Sequence, residues 1–88
     1  MTDSYSLFIK RAAERELRRI SKSDLSRILT KIQNLIQTPR PNGSEKLAEQ
    51  ERYRIRQGDY RIIYTIDDEK RRIDVIKIGH RREVYRKS

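Results

Sequence analysis

The spacing of the apolar residues changes from a helical to a strand period midway along this chain, and that change most limits the folds open to it. Between residues 25 and 36 the apolar side chains recur at intervals of three and four, which gives a helix one apolar face. From residue 52 onward they largely alternate with charged residues, the period of a half-buried strand. A helical half followed by a sheet half is therefore predicted. The helical residues are Leu25, Ile28, Leu29, Ile32, Leu35 and Ile36.

A loop rich in proline and glycine separates the two halves at residues 38–44. Before it we expect a short strand over residues 5–9, a helix over residues 11–20, and a second helix with Ser23 as its N-cap that stops before Pro39. After it we expect strands over residues 52–56, 60–67 and 72–78, with Gly79 ending the last strand. Residues 45–51 remain unassigned.

Short turns at residues 57–59 and 67–70 join these strands, and strands joined in this way pair as antiparallel neighbours. The predicted fold is therefore α+β, with two N-terminal helices packed on one face of a small antiparallel β-sheet. The 88 residues form a single domain, residues 1–88. Tyr53, Tyr60 and Tyr64 fall inside strands and are expected in the core.

The charge balance favours an anionic partner. The chain carries 22 Lys and Arg against 13 Asp and Glu, a formal net charge of +9, which suits nucleic acid, an acidic protein or an anionic membrane. The absence of cysteine excludes disulfides and thiolate catalysis. With no signal peptide and no apolar run long enough to span a bilayer, we expect a cytoplasmic protein and no membrane insertion. No metal site is predicted, because the one carboxylate cluster, at residues 67–69, lies next to three cations.

Arginines dominate the strand half and suggest a site for a phosphodiester. Alternation puts Arg54 and Arg56 on one face of the sheet, and Arg61 of the next strand should join them. Arginine binds phosphate oxygens bidentately and stabilises their charge, but it cannot act as a base because its pKa is above about 12. If this site cuts RNA, another group must move the proton. The candidates are Tyr85, His80 and the nearby acidic residues.

Each of these residues also has an ordinary structural interpretation. The two arginines of the first strand could form the solvated face of an antiparallel sheet. Arg61 could pair with Asp59 or Glu51, His80 could be structural, and Tyr85 could pack its ring against the sheet edge. The functional interpretation gains only from the convergence of all these residues.

Several short motifs, taken in order, resemble one known family. They are FIKRA at residues 8–12, LIQTPR at 35–40, EKL at 45–47, YRIR at 53–56, GDYRIIY at 58–64 and GHRREVY at 79–85. Over nearly its whole length the chain resembles the RelE/ParE superfamily, the toxins of type II toxin–antitoxin systems, and is closest to the RelE-like branch.

The resemblance implies an endoribonuclease, an mRNA interferase that cuts mRNA in the ribosomal A site by 2′-hydroxyl attack, without metal or other cofactor, and so inhibits translation. RelE-like toxins have basic residues at the positions of Arg54 and Arg56, where well-known relatives carry lysines. Because arginine cannot move a proton, that duty shifts toward the tyrosine and the histidine. The catalytic residues that the resemblance implies are Arg54, Arg56, Arg61, Arg81 and Tyr85. The need for proton transfer adds His80 to this set. The flanking cations proposed to bind RNA are Arg52, Arg82, Arg86 and Lys87.

The resemblance also implies partners. They are mRNA, the ribosome and an acidic, RelB-like antitoxin that wraps the toxin in a hetero-oligomer. Two other functions stay open. One is a ParE-like inhibitor of gyrase that binds protein and cuts no RNA. The other is a passive RNA-binding or antitoxin-sequestered module with no activity. The joint presence of the arginines and the late tyrosine favours the nuclease.

Overall fold

The computed structural model describes residues 4–47 and 51–80. The described chain forms a five-stranded sheet, in the order β1-β5-β4-β3-β2, with two helices on one face. Neighbouring strands are antiparallel, except that β1 runs parallel to β5. In chain order the elements are β1 (Ser6–Ile9), α1 (Arg11–Arg18), α2 (Lys22–Asn34), β2 (Glu45–Leu47), β3 (Arg52–Gln57), β4 (Tyr60–Asp67) and β5 (Arg72–His80).

The predicted α+β architecture is confirmed, with one correction at the edge of the sheet. The sheet is not wholly antiparallel, because the chain passes through both helices and three strands before β5 returns beside β1. The prediction that Gly79 ends the last strand is wrong. The ladder between β4 and β5 continues to the pair Tyr60–His80, so β5 runs two residues further than expected.

Both helices differ from expectation at their ends. The first ends at Arg18 rather than at residue 20, although Ile20 is still buried beyond its end. The second begins at Lys22, and its N-cap is Ser21 rather than the expected Ser23. The Ser21 hydroxyl donates to the Asp24 carboxylate at 3.4 Å. Among the described residues, neither helix has the length and apolar character needed to cross a membrane.

The hydrophobic core lies between the helices and the sheet. The apolar faces of both helices pack on alternate residues of β3, β4 and β5. Tyr53 and Tyr64 belong to this core and stack on each other, with ring centroids 5.8 Å apart, whereas Tyr60 packs against its edge. The fully buried residues include Ala13, Ile28, Ile32, Leu35, Ile62, Tyr64, Ile73, Val75 and Ile78.

A β-bulge interrupts the pairing of β4 with β5. Ile63 pairs with Lys77 and Tyr64 pairs with Val75, so Ile76 is an extra residue in β5. The extra residue reverses the alternation beyond it, because consecutive residues of a strand face opposite sides of the sheet. Val75 and Ile78 therefore both reach the core, although three positions separate them.

The loop at residues 38–44 is tied to the far end of the sheet by Arg40. Its Nε donates to the Tyr53 hydroxyl at 3.0 Å, and its two terminal nitrogens donate to Asp68 at 3.3 and 3.0 Å. The Tyr5 hydroxyl also donates to Asp68, at 2.8 Å. These bonds from Arg40 and Tyr5 hold the pKa of Asp68 below its usual range. The network thereby joins the loop, the chain before β1 and the β4–β5 hairpin.

Candidate nucleic-acid interface

The sheet face turned away from the helices carries the arginines of the alternating pattern. Tyr53 and Ile55 point into the core, so the residues between and beside them point to the other side. In the ladder with β4, Arg52 is opposite Thr65, Arg54 opposite Ile63 and Arg56 opposite Arg61. The structure thus brings together four sequence-predicted residues. We call this surface the arginine face, defined by Arg52, Arg54, Arg56 and Arg61.

Arg56 and Arg61 lie directly opposite each other on neighbouring strands. Like charges in that position destabilise a sheet. On its other side Arg61 pairs with Gly79, which has no side chain. Arg61 is only 5% exposed, whereas Arg56 is exposed. Arginine is seldom buried so completely. The interpretation of the arginines as an ordinary solvated sheet face therefore does not explain the burial of Arg61.

Arg54 is held by an acid that the sequence analysis did not single out. Glu45 of β2 is its cross-strand neighbour, and the Arg54 guanidinium donates to the Glu45 carboxylate. This hydrogen bond and the Arg54 charge lower the pKa of Glu45, and the charges of Arg56 and Arg61 lower it further. Glu45 therefore remains ionised in the field of all three arginines. Sequence inspection missed it because residues 45–51 showed no period that would identify a strand partner.

A cavity of about 340 Å³ opens beside the arginine face. It lies at the edge of the sheet because β2 covers β3 only as far as the pair Glu45–Arg54, which leaves the later residues of β3 uncovered. Helix α2 adds Lys31 to its wall, so a cation from the helical layer meets those of the sheet. The lining residues are Lys31, Asn42, Gly43, Glu45, Arg54, Ile55 and Arg56.

His80 does not join the arginines. It pairs with Tyr60 at the end of β5, and the two rings meet edge to face with centroids 5.8 Å apart. Because of the bulge at Ile76, His80 shares the helix-facing side of β5 with Ile78. The position beside Arg61 belongs to Gly79 instead. The thickness of the sheet thus separates His80 from the arginine face.

The other sequence-predicted residues are not all visible. Arg52 is exposed on the arginine face. Arg81, Arg82, Tyr85, Arg86 and Lys87 lie outside the described residues. Within residues 4–47 and 51–80, no three His, Asp or Glu side chains come together as a metal-binding group.

Residues 7–85 match the family model described as the ParE toxin of the type II toxin–antitoxin system parDE. No curated protein matches the sequence.

Solved structures of toxins resemble the chain over most of its length. The chain is 27% identical to a chain in the structure of the RelE–RelB complex of Pyrococcus horikoshii, covering 89% of this chain and 96% of that one, with a TM-score of 0.81. It is 26% identical to the isolated RelE toxin of E. coli, covering 96% and 94%, with a TM-score of 0.78. A YoeB/ParE toxin from Agrobacterium tumefaciens, 19% identical over 85% and 96% with a TM-score of 0.74, shares the fold.

Proposed function

We propose that this chain, which belongs to the ParE toxin family of type II toxin–antitoxin systems within the RelE/ParE superfamily, acts as an endoribonuclease on mRNA in the ribosomal A site. The observation that carries the proposal is the pair Arg56–Arg61, two like charges directly opposite each other with Arg61 buried. A phosphodiester between them would turn this repulsion into attraction to both guanidiniums. Cutting that phosphodiester within a translated codon would inhibit translation.

The proposed reaction needs no metal. The RNA 2′-hydroxyl forms a bond to the adjacent phosphorus, and the bond from phosphorus to the 5′ oxygen breaks. The products are a 2′,3′-cyclic phosphate and a 5′-hydroxyl. The phosphate gains negative charge in the transition state, and Arg56, Arg61 and Arg81 would stabilise that charge. One proton must leave the 2′-hydroxyl and another must reach the 5′ oxygen.

Two groups are best suited to move these protons. Tyr85 is one, since the arginines beside it in the sequence would favour the phenolate form. Glu45 is the other, because its carboxylate is ionised beside the arginines, although the lowered pKa makes it a weak base. His80, on the helix-facing side of β5, is less suited to this task. Arg54 donates a hydrogen bond to the Glu45 carboxylate. Its role would then be to orient that carboxylate as well as to contact the phosphate.

The proposed partner is an acidic, RelB-like antitoxin that forms a toxin–antitoxin complex in the cytoplasm. The similar toxin from Pyrococcus horikoshii was solved together with RelB. A net charge of +9 would draw such a partner into a productive encounter.

Inhibition of gyrase is the second candidate function, since the matching family model is that of ParE. A protein-binding inhibitor that cuts no RNA has no evident need for Arg61 buried opposite Arg56. Retention of that pair favours the nuclease.

A reconstituted translation reaction on a defined mRNA tests the proposal, with cut sites mapped by primer extension. We expect cuts within translated codons, and Arg61→Gln should lower the single-turnover rate by roughly 10²–10³. Arg27→Gln, which changes an exposed arginine of α2, is the matched control and should cut normally. Intact mRNA together with loss of gyrase supercoiling would overturn the nuclease proposal.

The same assay separates the two proton carriers. Tyr85→Phe should slow cleavage if the tyrosine moves a proton, and Glu45→Gln if the carboxylate does. A variant that cuts at the wild-type single-turnover rate removes its residue from that role. Changes in the pH–rate profile distinguish proton transfer from mere positioning of Arg54.

A further inference from the structure

Phe8 is exposed on the same side of the sheet as the arginines. It is 46% exposed, the one large hydrophobic side chain so exposed among the described residues. Across the sheet, Phe8 of β1 is followed by its cross-strand neighbours in one row: Asp74 of β5, Thr65 of β4 and Arg52 of β3. This row places Phe8 at the edge of the sheet opposite β2, in line with the arginine face.

The guanidinium of Arg72 packs against the Phe8 ring and is held in place by Asp74. The Arg72 guanidinium carbon lies 4.0 Å from the ring centroid. Its Nε donates to Asp74 Oδ2 at 3.1 Å, and its Nη2 donates to Asp74 Oδ1 at 3.2 Å. The two-point contact fixes the plane of the guanidinium, and the Asp74 side chain is itself only 18% exposed. A planar cation is therefore fixed against an exposed aromatic ring.

We propose that Phe8, Arg72 and Asp74 form a stacking platform for one nucleobase of the single-stranded RNA, an inference that rests on the proposed nuclease function. Aromatic rings and arginine planes both stack on bases, and such stacking tolerates any base because every base has a π-face. The same sheet face is cationic and attracts the RNA backbone. The platform would thus hold one base while Arg56 and Arg61 hold a phosphate.

The spacing suits a short stretch of one RNA strand. Phe8 is on β1, two strands away from β4, which carries Arg61. The row of Phe8 crosses β4 at Thr65, four residues along the strand from Arg61. With strands about 4.8 Å apart and a rise of about 3.4 Å per residue, the separation is about 17 Å. An extended single strand covers that distance in a few nucleotides. The stacked base is thus not the one at the cut but one a few positions away.

An acidic protein segment fits this surface less well. Asp74 lies directly across from Phe8 and already offsets the charge of Arg72, so this position attracts a carboxylate only weakly. A nucleobase carries no charge and does not depend on that attraction. The fixed guanidinium also offers a flat surface rather than a groove, which suits a planar ring.

The test uses mRNA bound to the ribosome, with a 2′-O-methyl group at the cut nucleotide to prevent cleavage. 2-Aminopurine is placed at each of several positions on both sides of the cut, and its fluorescence reports stacking. The full-length toxin should quench the signal at one position. Phe8→Ala should abolish that quenching and weaken binding roughly tenfold, whereas Phe8→Tyr should preserve both. Ser6→Ala, on the same strand and face, is the matched control.

The possible failures point to different errors. If the wild-type toxin neither binds nor cuts RNA, the proposed function fails. If it cuts RNA but no position is quenched, or Phe8→Ala quenches as the wild type does, the platform alone is wrong. Phe8→Leu keeps apolar bulk without the ring, so wild-type quenching by that variant also overturns stacking. Unchanged RNA binding by Phe8→Ala, with weaker antitoxin binding, would reassign the surface to the antitoxin.

Discussion

Arg56 and Arg61 are two permanently charged side chains on opposite positions of neighbouring strands. The carboxylate of Glu45, which is bonded to Arg54, also interacts electrostatically with both of them. A folded protein that keeps such a pair gives up stability at that point, as proteins commonly do at functional sites. Removing Arg56, the exposed member of the pair, should therefore raise stability and lower activity.

Arg56→Gln should raise the free energy of unfolding by about 0.5 kcal/mol at low salt, because it removes a cross-strand repulsion. The gain should shrink as salt screens the pair. Urea unfolding at several salt concentrations measures it. Arg52→Gln is the matched control, since Arg52 lies on the same strand and face but opposite Thr65. Equal effects of the two substitutions would contradict the repulsion.

The burial of Tyr64 predicts how the stability of the fold changes at alkaline pH. Its hydroxyl donates to the Pro39 carbonyl at 2.7 Å, and burial raises its pKa to about 12. The unfolded chain releases this proton near pH 10. The protonated folded form is thus favoured below pH 10, and that contribution to stability is lost as the pH rises from 10 to 12. Tyr64→Phe should be less stable by about 1 kcal/mol at neutral pH.

Denaturant unfolding measured from pH 8 to pH 12 checks this. Tyr64→Phe should lose less stability than the wild type between pH 10 and pH 12. Tyr60→Phe, in the same strand, is the control. If Tyr64→Phe and the wild type lose stability in parallel over this range, Tyr64 does not govern the response.

At the scale of elements, the hairpin between β3 and β4 sets the geometry of the candidate site. Gln57 pairs with Tyr60 across a turn in which Gly58 adopts a φ of +61°. The next pair outward is Arg56 and Arg61. The turn therefore determines which two residues face each other, since a slip of one residue would place the two arginines on opposite faces of the sheet.

Gly58→Ala should destabilise the protein by about 1 kcal/mol, because an L-residue with a side chain resists this left-handed backbone. A Cβ at this position would meet nothing within 4 Å, so the cost comes from the backbone rather than from a clash. Gly58→Asn should cost less, since asparagine visits this conformation more readily. Thermal unfolding of the two variants gives the comparison. Equal losses would mean that the positive φ does not control the hairpin.

At the scale of the whole molecule, the charge of +9 is spread over a small domain with an acidic antitoxin and RNA as its proposed partners. Each phosphate contact with single-stranded RNA contributes a slope of about −0.7 to the dependence of log affinity on log salt. Arg52→Gln should reduce the measured slope by about that amount, because Arg52 is exposed on the arginine face. Lys70→Gln, at the exposed tip of the β4–β5 hairpin, should leave the slope unchanged. A fall of equal size in both variants would point to the total charge rather than to a defined face.

The periodicity of the apolar residues was sufficient to predict the α+β architecture. The three- and four-residue spacing along α2, the proline-rich loop and the alternation in β3 are local patterns, and a local pattern identifies the element and its buried side. The same alternation correctly assigned Arg54 and Arg56 to one face. Each of these predictions needed only the neighbours of a residue along the chain.

What the local patterns could not provide was the pairing between distant segments. Glu45 became a partner of Arg54 only when β2 joined the sheet, and β1 met β5 in parallel only after the whole chain had folded back. His80 shows the clearest case: strict alternation from Asp74 places it beside the arginines, but one extra residue at Ile76 moves it to the helix side. A bulge is a property of two paired strands, so no pattern within one strand reveals it.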